Sequence, residues 1–198
     1  LIRREISKTE AMFSSVKLND ISMEVEEVMQ QLMVTLSGEK PDNMLQTGLQ
    51  DFDNLTGGFS KGELIILGAR PSMGKTGLAL SIVNDLIFRQ NKPVAWFSLE
   101  MSAQFIVNRL LSITTEIEAG KIARGQINPD EYEQIQLYAE KLKEAPFYII
   151  DEAAPKIERI ATLSRQLKEM HGVELIVVDY LQLVSGNQKR YESRELEI

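Results

Sequence analysis

The sequence predicts an α/β fold, a parallel sheet flanked by helices, preceded by a helical linker. Three observations predict it. From residue 46 onward, short apolar runs alternate with helix-like stretches, the pattern of strand–helix–strand units. One of those runs leads through a glycine-bearing loop directly into a helix. Before residue 46 the periodicity is helical only, and a polar stretch separates it from the rest of the chain.

Residues 1–45 form the linker region. Ile21, Val25, Val28, Leu32 and Leu36 recur at spacings of four, three, four and four, one face of a helix. Asn19 or Asp20 supplies a cap. Glu24, Glu26 and Glu27 crowd the first turns, where the helix dipole favours acids. The polar stretch Ser37 to Asn43, with Gly38 and Pro41, breaks the pattern. The apolar stripe is therefore expected to pack against another subunit or another domain.

Residues 46–198 form the second domain. Leu64–Leu67, Pro93–Leu99, Phe147–Ile150 and Leu175–Val178 read as strands. Lys75 to Arg89, Ser102 to Thr114, Asn128 to Glu144 and Pro155 to Met170 read as helices, with Gly120 and Gly125 as breaks. His171 suits the C-terminal dipole end of the last helix, which Gly172 closes. Trp96, the single tryptophan, is a core residue.

Composition narrows the class. The 198 residues are 43% hydrophobic and 26% charged, globular rather than disordered. No cysteine is present, which excludes disulfides and thiolate metal sites and fits a reducing compartment. No run reaches the ~18 apolar residues of a membrane span, so no membrane is expected as a partner. The opening Leu1-Ile2-Arg3-Arg4-Glu5 is not a signal peptide and lacks an initiator Met, so a fragment or a processed piece is expected. A net charge of −7 speaks against a broad basic face that grips nucleic acid, although a local basic loop is compatible with it.

The most informative stretch is Gly68-Ala69-Arg70-Pro71-Ser72-Met73-Gly74-Lys75-Thr76, with Gly77 next in the chain. A strict phosphate-binding loop has Gly, four residues, then Gly-Lys-Ser/Thr. Here Ala69 holds the first position and Gly68 lies one place earlier. Backbone amides from Ser72 to Thr76 can point at phosphate oxygens, and the helix N-terminus adds its positive dipole end. Gly74 permits close approach. Lys75 supplies a cation for β/γ-phosphates, and the Thr76 hydroxyl can ligate Mg²⁺. Such a site also calls for a strand-end aspartate. Two runs offer one, Ile149-Ile150-Asp151-Glu152 and Val177-Val178-Asp179-Tyr180, and periodicity does not choose between them.

Longer stretches carry a resemblance. Gly48 to Phe59 followed by Gly62-Glu63-Leu64 resembles the opening of RecA-type ATPase cores. Ala69 to Thr76, Ser98-Leu99-Glu100-Met101, and Val177 to Leu183 are similar, in order, to motifs of the DnaB replicative helicase family. The resemblance covers about residues 46–197. It implies a RecA-like P-loop NTPase core that binds ATP or another NTP with Mg²⁺. It implies that residues 69–77 hold the nucleotide, that Thr76 and Asp179 serve the metal, and that Lys75 and Glu100 are catalytic. Glu100 would orient or deprotonate the attacking water. Asp151 and Glu152 then become a strand-end acid and a helix-entry acid outside the chemistry.

The same resemblance implies a homohexamer acting on single-stranded DNA, with primase and a helicase loader as partners, in the cytoplasm of a bacterial or phage-infected cell. It implies a site completed by an arginine of the adjacent subunit, outside residues 1–198. It also places the loop Ser185 to Tyr191, with Lys189 and Arg190, where strand-binding loops of the family lie. Gln182 matches the family without an assigned role. Two alternatives stand beside the helicase: a RecA-type recombinase or clock-type ATPase, and a non-hydrolysing assembly or docking fragment. In RecA-type sheets the strand after the magnesium-side aspartate lies between it and the P-loop strand. Leu64–Leu67 and Leu175–Val178 are therefore expected two inter-strand spacings apart, roughly 9–10 Å, without direct hydrogen bonds. Residues 1–198 alone are not expected to make a stable, hydrolysing monomer.

Overall fold

The computed structural model describes residues 20–38, 44–70, 72–180 and 183–184. In chain order the elements are α1 (Ile21–Leu36), β1 (Met44–Leu45), α2 (Gln50–Thr56), β2 (Phe59–Ser60), α3 (Lys75–Phe88) and β3 (Val94–Ser98). Next come α4 (Ala103–Thr115), α5 (Ala119–Arg124), α6 (Pro129–Glu144), β4 (Phe147–Asp151), α7 (Ile157–His171) and β5 (Leu175–Asp179). The chain divides into two compact units, residues 1–44 and 45–198.

In the first unit, α1 starts where the sequence places it. Asp20 accepts hydrogen bonds from the Ser22 amide at 3.0 Å and the Ser22 hydroxyl at 2.7 Å. The hydroxyl bond first, and the amide bond second, hold its carboxyl below the ordinary range. Ser37 closes the helix through its amide to the Met33 carbonyl. Ile21, Val25, Val28, Leu32 and Leu36 are all exposed, and so are Met29 and Met33.

The second unit is built on β3. It lies between β4 and β5 in an all-parallel sheet of order β4-β3-β5. All five β3 residues are buried, as expected of a strand paired on both sides and covered on both faces. Side chains alternate between the faces. Val94 and Trp96 pack with Leu80, Val83 and Leu86 of α3 and Ile106 and Leu110 of α4. Phe97 packs on the opposite face with Ile160 and Leu163 of α7 and Val178 of β5.

Local signals set the helix ends. Asn128 and Glu131 form a reciprocal capping box with Pro129 at the first turn of α6. The 2.6 Å Lys121 partner and then the cap draw the Glu131 carboxyl below its usual range, the Lys121 bond being the larger cause. Gly125 and Gly172 close α5 and α7 in the left-handed conformation. Gly120, expected to be a break, lies inside α5, because the Lys121 and Ile122 amides bond back to the Glu118 carbonyl.

Two further features differ from the sequence reading. Leu64–Leu67 is not a strand. Leu64 and Ile66 are more than three-quarters exposed, and no described strand pairs with the run. An apolar run becomes a strand only where a neighbour completes its ladder. The expected inter-strand spacing therefore has no strand pair to describe. β5 is bonded to β3 alone among the described strands, and no bond joins it directly to Leu64–Leu67 there.

The second feature is α2, which the sequence reading left without an element. The Asp53 carboxylate accepts from the Thr47 amide (2.9 Å), the Thr47 hydroxyl (2.7 Å) and the Gly48 amide (3.0 Å). Thr47 is only 1% exposed. Gly48 has φ +79° and lies so close to α3 that a Cβ would come 2.5 Å from Asp85 Cγ. Gln90 bonds both the Gln46 carbonyl and Asp85. Asp53 thus ties α2 to the 47–48 turn, and Gln90 ties the neighbouring Gln46 to the C-terminal end of α3. Removing Asp53 leaves buried donors unmatched. Asp53→Ala should lower stability by about 2 kcal/mol, read as an earlier urea transition, and Asp53→Asn, which keeps one acceptor oxygen, should lose less. Equal midpoints for Asp53→Ala and the parent would contradict this role.

Candidate functional site: a phosphate cradle at the ends of β3 and β5

Between residues 63–70, which form no regular element, and α3, the Met73 amide bonds the Arg70 carbonyl at 3.2 Å. Gly74 is the N-cap of α3, with φ 84° and ψ 19°. A side chain there is strained by backbone conformation. Space is not the obstacle, since an added Cβ meets nothing within 4 Å. The backbone angle is thus a second reason for the glycine, beside the close approach of a phosphate expected from the sequence. Ser72 also holds a positive φ, 62°. The first amides of α3 have no carbonyl partner within the helix and face the loop end, the arrangement that attracts a phosphate.

Three predicted side chains meet here. The Thr76 hydroxyl donates to Asp179 Oδ2 at 2.7 Å. Lys75 Nζ lies 3.5 Å from Asp179 Oδ1. Asp179 ends β5, and its side chain is only 12% exposed. Ser98, the last residue of β3, is in register with it, and the Leu99 amide bonds the Asp179 carbonyl at 3.0 Å. Glu100 comes next on this turn and is exposed. The backbone just before Glu100 is thus joined to the end of β5.

The rival acids lie elsewhere. Asp151 ends β4, across β3 from Asp179. Its Oδ2 accepts from the Ala103 amide at 2.9 Å, at the start of α4. Glu152 pairs with Arg159 at 3.1 Å. The partners of both acids thus lie away from Lys75 and Thr76. Ala69, Arg70 and Met73 are exposed along the loop, and Gly77 lies in the first turn of α3. Pro71, Gln182 and the loop 185–191 lie outside the described residues. His171 stacks on Tyr148 at 4.3 Å between ring centroids.

Two residues that the sequence reading carried inside its motif stretches without a role also take part. The Tyr180 ring lies 4.4 Å from Lys75 Nζ, a cation–π contact. Its position after Asp179 was its only signal. Ser98 is 2% exposed, and its hydroxyl donates to the Met101 carbonyl. Its place at the head of the Ser98-Leu99-Glu100-Met101 stretch was its only signal. The assembled donors suit a magnesium-bound phosphate: a hydroxyl and a carboxylate as hard oxygen donors, an ammonium, and free helix-start amides.

Comparisons with known proteins agree with this geometry. A family model described as DnaB-like helicase C terminal domain matches residues 44–198. The replicative DNA helicase DnaB of Geobacillus stearothermophilus is 38% identical over 154 residues, covering 78% of this chain and 34% of that protein. That of Treponema pallidum is 38% identical over 151 residues, 75% of this chain and 34% of that protein. The chain thus spans about a third of the length of these relatives. A solved ATPase domain shares the fold, with a TM-score of 0.81 at 24% identity over 91% of this chain and 63% of that one. A DnaB-like replicative helicase, solved in a study of its interactions with primase, gives 0.72 at 25% identity over 98% of this chain and 50% of that one. By the extent of the family match and the fold it shares, the chain belongs to the DnaB-like helicase C-terminal domain family.

Proposed function

We propose that this chain is the ATP-hydrolysing motor of a hexameric replicative helicase that translocates on single-stranded DNA and unwinds duplex. The observation that carries the reading is the meeting of Lys75 and Thr76 on Asp179, one strand from the turn that bears Glu100.

Each residue has a distinct task in this reading. The amides from Ser72 to Thr76 and the start of α3 bind phosphate oxygens, with residues 69–77 as the binding loop. Lys75 places its charge on the β/γ-phosphates. Thr76 and Asp179 are the residues that would hold Mg²⁺. The ion neutralises charge on the phosphates when bound. Glu100 orients the attacking water and takes its proton. The family match supports the helicase over a recombinase or a clock-type ATPase.

The assembly belongs to the same proposal. The exposed stripe of α1 supports docking on another subunit. Primase is a partner by analogy with the DnaB-like helicase studied for its interactions with primase, and a loader is proposed beside it on the family resemblance alone. No helix of the described residues is long and apolar enough to cross a membrane. A bacterial or phage-infected cytoplasm is the proposed setting.

In the full-length protein, Lys75→Ala should lower ATP turnover at least ~100-fold, the scale of losing one preorganised charge donor. Near-parent activity would remove the site assignment. Asp179→Ala should abolish magnesium-dependent turnover. Glu100→Gln should cut turnover by about 10²-fold or more while nucleotide affinity stays within about twofold; loss of affinity would point to a structural glutamate. ATPase assays with and without single-stranded DNA separate a motor from a non-hydrolysing docking module. For assembly, Val28→Asp with Leu32→Asp should shift hexamers to smaller species in analytical ultracentrifugation, and an unchanged hexamer would argue against the role given to α1.

A further inference from the structure

Glu100 poses a positioning problem. It stands exposed on a four-residue turn, Leu99 to Ser102, between β3 and α4. A general base has to be held near its productive geometry, and a misplacement of about 1 Å can cost ~10²-fold. Packing of the buried Leu99 and the partly buried Met101 leaves Glu100 itself exposed and without that order.

Hydrogen bonds supply it from all three strand ends. On the β5 side, the Leu99 amide bonds the Asp179 carbonyl at 3.0 Å, just before Glu100. From β3 itself, the Ser98 hydroxyl donates to the Met101 carbonyl, just after Glu100. On the β4 side, Asp151 Oδ2 accepts from the Ala103 amide at 2.9 Å. Ser102 then caps α4 by accepting from the Phe105 amide at 3.3 Å. Ser98 is in register with both Asp151 and Asp179, so the three ends are level. Leu99, 5% exposed, anchors the turn in the core.

We propose that Ser98 and Asp151 are positioning residues for Glu100, acting through the backbone of the turn that carries it. The proposal rests on the reading of Glu100 as the base. It revises the expectation that Asp151 has no part in turnover. Asp151 works through a backbone amide, not through a side chain of the phosphate site. It fixes the start of α4, and with it the far end of the Glu100 turn. Ser98 fixes the middle of the turn through a nearly dry hydroxyl, whose loss leaves the Met101 carbonyl without that bond.

The alternative is that Asp151 and Ser98 only stabilise α4. A double-mutant cycle in the full-length protein separates the two. ATP turnover is measured in the presence of single-stranded DNA, by single-turnover assay where rates are low, and affinity with a fluorescent ADP analogue. Asp151→Ala and Ser98→Ala should each lower kcat about tenfold, intermediate on the scale of small misplacements, with affinity unchanged within about twofold. Asp151→Asn, which keeps an acceptor oxygen for the Ala103 amide, should recover most of the rate. In the Glu100→Gln background, Asp151→Ala and Ser98→Ala should change the residual rate less than about twofold, since they act through the group already removed.

Equal losses in both backgrounds would overturn the proposal. So would a weakened nucleotide affinity, or unchanged turnover in Asp151→Ala and Ser98→Ala. If Asp151→Ala does not fold, Ser98→Ala in the two backgrounds decides. Full turnover in Glu100→Gln alone would overturn the base assignment and this proposal with it. An inactive Glu100→Gln beside fully active Asp151→Ala and Ser98→Ala would overturn only the clamp.

Discussion

The register of β3 against its two parallel neighbours governs the site. Ser98 faces Asp151 on one side and Asp179 on the other. Parallel strands end on the same side of a sheet, so this alignment gathers their last residues into one row, where open α/β sheets place their ligands. A slip of one residue would turn each side chain of the slipped strand to the opposite face. Asp179 would then leave Thr76, while Val178 would lose Phe97 and Ile160. The apolar packing that fixes the register therefore also fixes the acid, at a distance from any phosphate.

That constraint explains why two similar acids have different surroundings. Asp151 and Asp179 both end apolar runs of a parallel sheet, but they flank β3 on opposite sides. α3 carries its N-terminus to the β5 side, so Lys75 and Thr76 reach Asp179. α4 begins on the β4 side, so the Ala103 amide reaches Asp151. One carboxylate meets a cation and a hydroxyl, and the other meets a backbone amide. The lateral order of the strands makes the difference.

Much of this was legible in the sequence, and the failures have identifiable causes. β3, β4 and β5 showed as short apolar runs, and the helices between them showed through period and caps. Asn128, Glu131 and Gly172 act locally, so composition exposes them. Leu64–Leu67 has the apolar character of a strand, but strand formation depends on a neighbour that the run itself does not encode. The α2 segment Gln50-Asp51-Phe52-Asp53-Asn54 is poor in strong helix formers; Asp53 joins it to Thr47 and Gly48 by tertiary hydrogen bonds. At the site, loop spacing identified Lys75 and Thr76. Periodicity did not choose between Asp151 and Asp179; the family resemblance favoured Asp179, and the strand order that sets it beside Lys75 and Thr76 is not contained in either run. Ser98 and Tyr180 lay inside the motif stretches, but their contacts with the Met101 carbonyl and Lys75 depend on geometry that no spacing announces.

Trp96 carries a different consequence. It is the single tryptophan of the chain, fully buried on β3, and its indole Nε1 finds no hydrogen-bond partner among the described residues. It packs among Leu80, Val83 and Ile106, on the helices that leave the phosphate loop and the Glu100 turn. An indole screened from water and from polar neighbours emits ultraviolet light at short wavelength, and the emission reddens when solvent reaches it. The protein thus carries one intrinsic optical probe, seated where the sheet meets the two helices that frame the site, and its colour reports whether that junction is closed.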